Sequence, residues 1–392
     1  MSARGTEQVP ASPWAVPLSD LEVGPAQLDA VAQTLGSGWW SMGPKVGELE
    51  TAFAAVAGTD TALAVANGTA ALHLALLAVG CGPGDEVVLP SLNFVAAANT
   101  VVHTGATPVF CDIVGRDDLN LDPGDLEAAI TPRTKALVVL HYAGFPCDMD
   151  AVRAIAERRG VAIVEDAAHA VGANLDGRPC GSLGDVSCFS FFSNKNLPIG
   201  EGGMLATSDE ELAGRLRLLR SHGMTALTWD RHRGHAAGYD VVLPGFNYRL
   251  DEIHAALALV QLERLPERNR ARRAASRRYR DALDGVAGLT MPFGDDEASS
   301  HHLAVVLLPE GVERTAVREA LAAARIQTSV HYPPIHGFTA YRGVSRRALP
   351  RTDAVARRIL TLPLFAHMTE EQTGLVASAL LEAVKEHAPV AD

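Results

Sequence analysis

Between residues 61 and 192, short apolar runs alternate with helical stretches, and this alternation limits the fold more than any other feature of the chain. TALAVA (61–66), EVVLP (86–90), TPVFCDI (107–113), KALVVLHY (135–142), VAIVEDAA (161–168) and VSCFSFF (186–192) read as strands. Residues 67–80, 91–103, 126–130 and 149–159 carry helical spacing and fall between them. Strands that are apolar along their whole length are buried on both faces, and strands joined by helices pair in parallel. The expectation is an α/β fold with a mostly parallel central sheet covered by helices on both faces. Ligand sites in such sheets gather beyond the carboxyl ends of the strands, so unusual residues at those ends are the first candidates for function.

Two helices, 24–35 and 45–57, precede this region, and another is expected at 251–263. At 264–280 the text becomes RLPERNRARRAASRRYR, a basic helix read as a solvated face with some arginines paired to acids. It leads into a strand (302–309), a helix (314–324), a strand (IQTSVHY, 326–332) and a final helix (369–386). The expected organisation is a loose arm over 1–12, a large α/β domain over 13–265 and a small C-terminal α+β domain over 266–392.

Charge and composition exclude several classes. Lys plus Arg number 34 against 46 Asp plus Glu, a net charge of −12. An acidic chain is a poor partner for nucleic acid, whose phosphates demand a basic surface. Hydrophobic residues make up 47%, too many for a disordered chain, yet no apolar run reaches the roughly 18 residues that suggest a membrane span. The five cysteines are odd in number and lack C-x-x-C spacing, and the opening residues lack an apolar signal region, so a reducing cytoplasm is expected.

Four strand ends carry chemistry. Lys195, in SFFSNKNLPIGEGGMLAT, follows an apolar strand and precedes a Gly-rich turn. A desolvated lysine has a lowered pKa, which favours the neutral amine needed for a Schiff base. Glu165, Asp166 and His169 end the run VAIV. A buried acid there needs a cationic partner, and the protonated ring nitrogen of pyridoxal phosphate supplies one; a metal pair or a structural role for His169 also fits. Asn67-Gly68-Thr69-Ala70 opens a helix, where phosphate binds readily, although an ordinary N-cap looks the same. Phe94 follows another strand and is placed either to stack on a flat heterocycle or to pack in the core. Phosphate loop, aromatic, carboxylate and lysine thus come in order on different strand ends. No G-x-G-x-x-G follows the first strand, as a dinucleotide site would require.

With these residues in view, the chain resembles the DegT/DnrJ/StrS family of pyridoxal phosphate-dependent sugar aminotransferases. The resemblance runs from about residue 16 to 385, through LGSGWWSMGPKVGELE, NGTAALHLAL, LPSLNFVAAANTVVHTGATPVFCDI, VEDAAHAVGA, GFNYRLDEIHAALALVQLERL, HYPPIH and LTLPLF. It implies the type I aspartate aminotransferase fold and pyridoxal 5'-phosphate as cofactor. It implies that Lys195 holds the cofactor and moves the proton, Asp166 pairs with the ring nitrogen, and Phe94 stacks on the ring. His169, where many relatives carry Gln, would contact the phenolic oxygen side; Gly68, Thr69, Ala70 and Ser190 would hold the phosphate. Asn247 would reach the phosphate of the neighbouring subunit's cofactor, implying a homodimer with shared sites. Asn67 and Asn93 stand where Ser and Thr are commoner in the family. A branch that carries His in place of the lysine dehydrates sugars; Lys195 argues against it.

The resemblance further implies an amino-acid donor, L-glutamate first, and a keto-sugar acceptor carried on a nucleoside diphosphate. A glutamine-dependent keto-cyclitol aminotransferase, a pyridoxal phosphate-dependent sugar dehydratase and a non-catalytic regulatory homologue are the alternatives. The aromatic, His-rich loop 220–241 offers His222, Trp229, Arg231, Arg233 and Tyr239 as substrate contacts, with Trp39, Met42, His331, Tyr332 and His336 as further acceptor-pocket candidates.

Overall fold

The computed structural model describes residues 12–226, 229, 232–234, 238–344 and 347–388. The expected arm therefore lies almost wholly outside the described residues, as does Arg231. A seven-stranded sheet forms from β1 (Thr61–Val65), β2 (Glu86–Pro90), β3 (Thr107–Cys111), β4 (Thr134–Leu140), β5 (Ala162–Asp166), β8 (Val186–Ser190) and β9 (Gly203–Thr207), with a small hairpin, β6 (Asn174–Leu175) and β7 (Arg178–Pro179), outside it. The spatial order is β1-β9-β8-β5-β4-β2-β3. Every pairing is parallel except those of β9, which runs antiparallel to both β1 and β8.

Side chains of successive strand residues point to opposite faces, so each strand feeds two cores. Ala62, Ala64, Leu137, Val139, Met204 and Ala206 face one core, where helices Pro44–Ala57, Met149–Arg159 and Glu252–Glu263 pack. Leu63, Val65, Ala136, Val138 and Leu205 face the other, filled by helices Gly68–Ala78, Ala96–His103 and Glu210–Arg220. This is the doubly covered sheet that the alternation predicts. Among the described residues, no helix is long and apolar enough to cross a membrane.

A third core gathers around Tyr279, Phe365, Val306 and Leu380, between helices Leu265–Leu283, Arg314–Ala323 and Glu370–Glu386 and the antiparallel pair β10 (Ala304–Leu307) and β11 (Ile359–Leu362). Val16 belongs to this core and bridges Ile326.

Several expectations are corrected. Residues 326–332 form no strand; they make single bridges, Val16 to Ile326 and Ser329 to Thr361. The helix expected over 91–103 begins at Ala96, because Asn93 turns back to accept from the Phe94 amide (2.6 Å). β9, β11 and the helices Glu210–Arg220 and Pro350–Arg358 were not anticipated. In the basic helix, Arg268 and Arg272 are buried, and Arg272 donates to the carbonyls of His302 (3.4 Å) and Leu364 (3.1 Å). Arg264 and Arg273 pair with Glu22 and Asp295, as an arginine face with acidic partners should.

Candidate active site

The carboxyl ends of β1, β2, β5 and β8 open on one cavity of about 660 Å³, within the range of small-molecule sites. Gly68, Thr69, Ala70, Phe94, Asp166, His169, Ser190, Lys195, His331 and Tyr332 all line it. It thus collects, from stretches far apart in the chain, all but one of the residues expected to bind the cofactor.

At the end of β1, the Asn67 side chain accepts from the Ala70 amide (2.8 Å) and starts helix Gly68–Ala78. The amides of Gly68 and Thr69 precede the helix's first internal bond and are left to an outside acceptor, with the positive end of the dipole behind them. Gly68 is required here. A Cβ at this position would lie 2.8 Å from Ser190 Cβ, so the absence of a side chain lets the helix start close against the end of β8.

β5 ends in Glu165 and Asp166, and the pleat sends them opposite ways. Glu165 is fully buried and accepts from the amides of Gly181 (2.9 Å), Leu183 (2.6 Å) and Gly184 (2.6 Å) and from His141 Nε2 (2.9 Å). It is a structural anchor. Asp166 turns into the cavity at 4% exposure, where its carboxylate accepts a long 3.3 Å bond from the Ala168 amide. Burial raises its pKa, with the Ala168 amide and the Lys195 charge pulling the other way. Among the described residues, no Lys, Arg or His is in ion-pair contact with it.

Lys195 follows β8 and is held by its backbone, the amide donating to Phe192 O (2.8 Å). Burial lowers its amine to about 8, against the opposing pull of Asp166. Roughly one amine in ten is then neutral at pH 7, where an ordinary lysine would offer fewer than one in a thousand. Nζ lies 3.5 Å from His302 Nε2.

His169 Nδ1 accepts from the Ala143 amide (3.3 Å), which leaves Nε2 to donate to Tyr332 Oη (2.8 Å). Burial, and then the neighbouring charge of Lys195, push His169 well below its ordinary range, so the ring is neutral. His331 lies at the cavity wall with Nδ1 3.0 Å from Thr361 Oγ1, lowered to about 4 by burial. Phe94 stands at the cavity's edge, 55% exposed, with its ring 5.8 Å from that of Tyr332.

Pyridoxal phosphate fits this donor set. Asn194 Oδ1, on a residue that lines the cavity, is buried without a hydrogen-bond partner among the described residues. A buried polar atom left so calls for a ligand. Asp166 is a buried carboxylate in want of a cation, and the helix start is an anion site with a hydroxyl, Ser190, beside it.

The other candidates lie elsewhere. Asn247 is exposed, and among the described residues only its backbone is engaged, in a bridge to Ser221. His336 ties Ser91 (Nδ1 to Oγ, 2.7 Å) to Asp353 (Nε2 to Oδ1, 3.0 Å). Met42 is buried in a core. Trp39 packs on the rings of Trp229 (4.8 Å) and His232 (4.7 Å), with the Arg233 guanidinium 5.6 Å from the Trp229 ring centre. His222 and Tyr239 are exposed, away from the cavity lining. Sequence reasoning missed His73, Asn194, Glu201 and Tyr248 in the lining and His302 against the lysine. The signal for His302 was the pair His301-His302 opening an apolar strand, a place where polar residues are costly.

Comparison with known proteins agrees with this geometry. Residues 22–381 match the model of the DegT/DnrJ/EryC1/StrS aminotransferase family. The spore coat polysaccharide biosynthesis protein SpsC of Bacillus subtilis (strain 168) is 44% identical over 382 residues, covering 95% of this chain and 97% of that protein. S. venezuelae DesV, solved with a ketimine intermediate, is 39% identical with a TM-score of 0.86, over 94% of this chain and 98% of its own. The PLP form of Spr1654 from Streptococcus pneumoniae is 30% identical with a TM-score of 0.89, over 95% of this chain and 100% of its own. With the cavity's lysine, carboxylate and helix start in place, the chain belongs to the DegT/DnrJ/EryC1/StrS family and is a pyridoxal phosphate-dependent sugar aminotransferase.

Proposed function

We propose that the enzyme transfers the amino group of L-glutamate to a keto-hexose carried on a nucleoside diphosphate. The observation that carries the reading is one cavity lined by both Lys195 and Asp166, the carboxylate's charge acting on the amine, beside a helix start left open for phosphate. The bound cofactor supplies an electron sink and a carrier for the amino group; the chain supplies position, charge and proton movement. The amides of Gly68 and Thr69, together with Ala70 and the Ser190 hydroxyl, would hold the phosphate. The Asp166 carboxylate would keep the ring nitrogen protonated, and Phe94 would cover the ring. His169, with Nε2 donating to Tyr332, would present a neutral imidazole to the cofactor. The Lys195 amine, neutral in useful amount near pH 7, would hold the cofactor, and its Nζ would serve as the group that takes up and gives back a proton at the reacting carbon.

A shared-site homodimer completes the reading. Asn247 is exposed on a single chain, and Phe94 and Phe192 leave apolar surface at the cavity's edge; a second subunit would cover these rings and bring its own Asn247 to the phosphate. The aromatic group of Trp39 and Trp229, with Arg233 over it, suits a nucleotide base and a diphosphate charge. The test is a half-reaction screen. Protein loaded with pyridoxamine phosphate is mixed with keto-sugar nucleotides, free keto-sugars and keto-cyclitols, and return of the cofactor's visible absorbance is followed. Nucleotide-linked keto-hexoses should restore it fastest; restoration by keto-cyclitols alone would overturn the substrate assignment.

A further inference from the structure

His302 lies just before β10, is 3% exposed, and directs Nε2 at Lys195 Nζ across 3.5 Å. The hydrogen-bond network decides which ring nitrogen carries the proton. Asn196 Nδ2 donates to Asn269 Oδ1 (2.9 Å) and to the Ser300 carbonyl (2.8 Å), while Asn269 Nδ2 donates to the Val171 carbonyl (2.9 Å). Two backbone carbonyls, which only accept, therefore fix both amides. Asn196 Oδ1 is left as the acceptor for His302 Nδ1 (2.9 Å), so Nδ1 carries the hydrogen and Nε2 presents a lone pair to the lysine.

The two other imidazoles near the lysine, His169 and His331, each have a partner. His169 spends one nitrogen on the Ala143 amide and the other on Tyr332, and His331 Nδ1 meets Thr361. Lys195 faces Asp166, His169, His302 and His331; His302 faces Lys195, His169, His331 and Arg272. Burial, and then the charges of Lys195 and Arg272, hold His302 well below its ordinary range, which keeps the lone pair available.

We propose that His302 is a positioning residue for Lys195, its Nε2 lone pair receiving an N–H of the lysine amine and holding that amine beside the cofactor when it is free. The Asp166 carboxylate acts on the same amine through its charge, while His302 offers it a hydrogen-bond acceptor. The proposal rests on Lys195 being the cofactor lysine. If that assignment fails, the cofactor will be trapped on another residue, whereas the experiment below reads Lys195 itself.

In protein loaded with pyridoxamine phosphate the Lys195 amine is free. Trace acetylation with acetic anhydride over a pH series, read on the Lys195 peptide by mass spectrometry, gives the amine's titration. The wild-type titration is the reference for the variants. In His302→Gln the side-chain oxygen reaches the place of Nε2, so the titration should stay within about 0.3 unit, although the bond to Asn196 is lost. In His302→Asn the bond to Asn196 is kept and the acceptor for Nζ is lost. The ammonium then loses a hydrogen bond, and the titration should move down by about half a unit or more. A purely structural His302 predicts the reverse order, because it is Gln that breaks the Asn196 link. Asn like wild type, or both variants shifted equally, would overturn the proposal. Ring-nitrogen NMR compares wild type with Lys195→Ala and needs no change at His302: the Nε2 resonance should move to that of an unbonded lone pair, and an unmoved resonance would contradict the contact.

Discussion

Replacing Asp166 with Asn should have opposite effects on the empty and the loaded protein. The side chain is 4% exposed at the end of β5, bonded at 3.3 Å to the Ala168 amide, with its pKa raised by burial. A carboxylate whose folded pKa lies above its unfolded one costs stability once pH exceeds the unfolded value. The Asp166→Asn substitution removes that charge at nearly constant volume, so the cofactor-free variant should melt at or above the wild-type temperature at pH 7. The loaded protein should behave the other way. A protonated ring nitrogen would no longer face a negative charge, and removing one partner of a buried pair costs about 3–5 kcal/mol. If even about 3 kcal/mol of this appears in the barrier, turnover falls at least about 100-fold. The assays are the single-turnover half-reaction and paired melts with and without pyridoxal phosphate. A near wild-type rate, or a cofactor-free variant melting well below wild type, would refute the reasoning.

Three more predictions follow from the geometry. With the Lys195 amine lowered to about 8, covalent capture of pyridoxal phosphate should quicken about tenfold from pH 6 to 7 and level off above 8; a rate flat across that range would remove the neutral amine from the step. Glu252 is buried and accepts from the amides of Gly43 (3.0 Å), Lys45 (2.9 Å) and Val46 (2.9 Å) at the start of helix Pro44–Ala57. Glu252→Ala leaves three donors unpaired and should cost about 3 kcal/mol or more, lowering the melting temperature on the order of 5 °C or more; a change of about 1 °C would show that these bonds add little. Lys195→Ala and Asn247→Asp, each inactive alone, should recover at most roughly a quarter of wild-type activity when co-expressed, because half the dimers are mixed and each has one intact site. Absence of recovery with mixed dimers demonstrated would place Asn247 outside the partner's site.

The sheet was legible because each strand read from the sequence is a short, largely apolar run, and the two-residue pleat needs no further code. β9 escaped because it opens with glycine. A Cβ on Gly203 would sit 2.6 Å from the Asn67 carbonyl carbon, so close backbone approach there overrides strand propensity. Residues 326–332 alternate like a strand but find only single bridging partners, and pairing depends on neighbours that local pattern does not encode. Lys195, Asp166, Phe94 and the 68–70 turn could be read from their places at strand ends. For His302 the polar pair opening an apolar strand was only a flag, since its hydrogen-bond role comes from Asn196 and Asn269, far away in sequence and joined to it through side-chain amides. His336 shows the converse. Its motif, HYPPIH, suggested the acceptor pocket, yet its ring is occupied between Ser91 and Asp353.

The central claim is that Lys195 carries the cofactor, and borohydride reduction of the loaded protein followed by mass spectrometry of its peptides tests it most directly. The account predicts a phosphopyridoxyl adduct on Lys195, lost in Lys195→Ala. An adduct on Lys45, Lys135 or Lys385, or one that persists in Lys195→Ala, would contradict it.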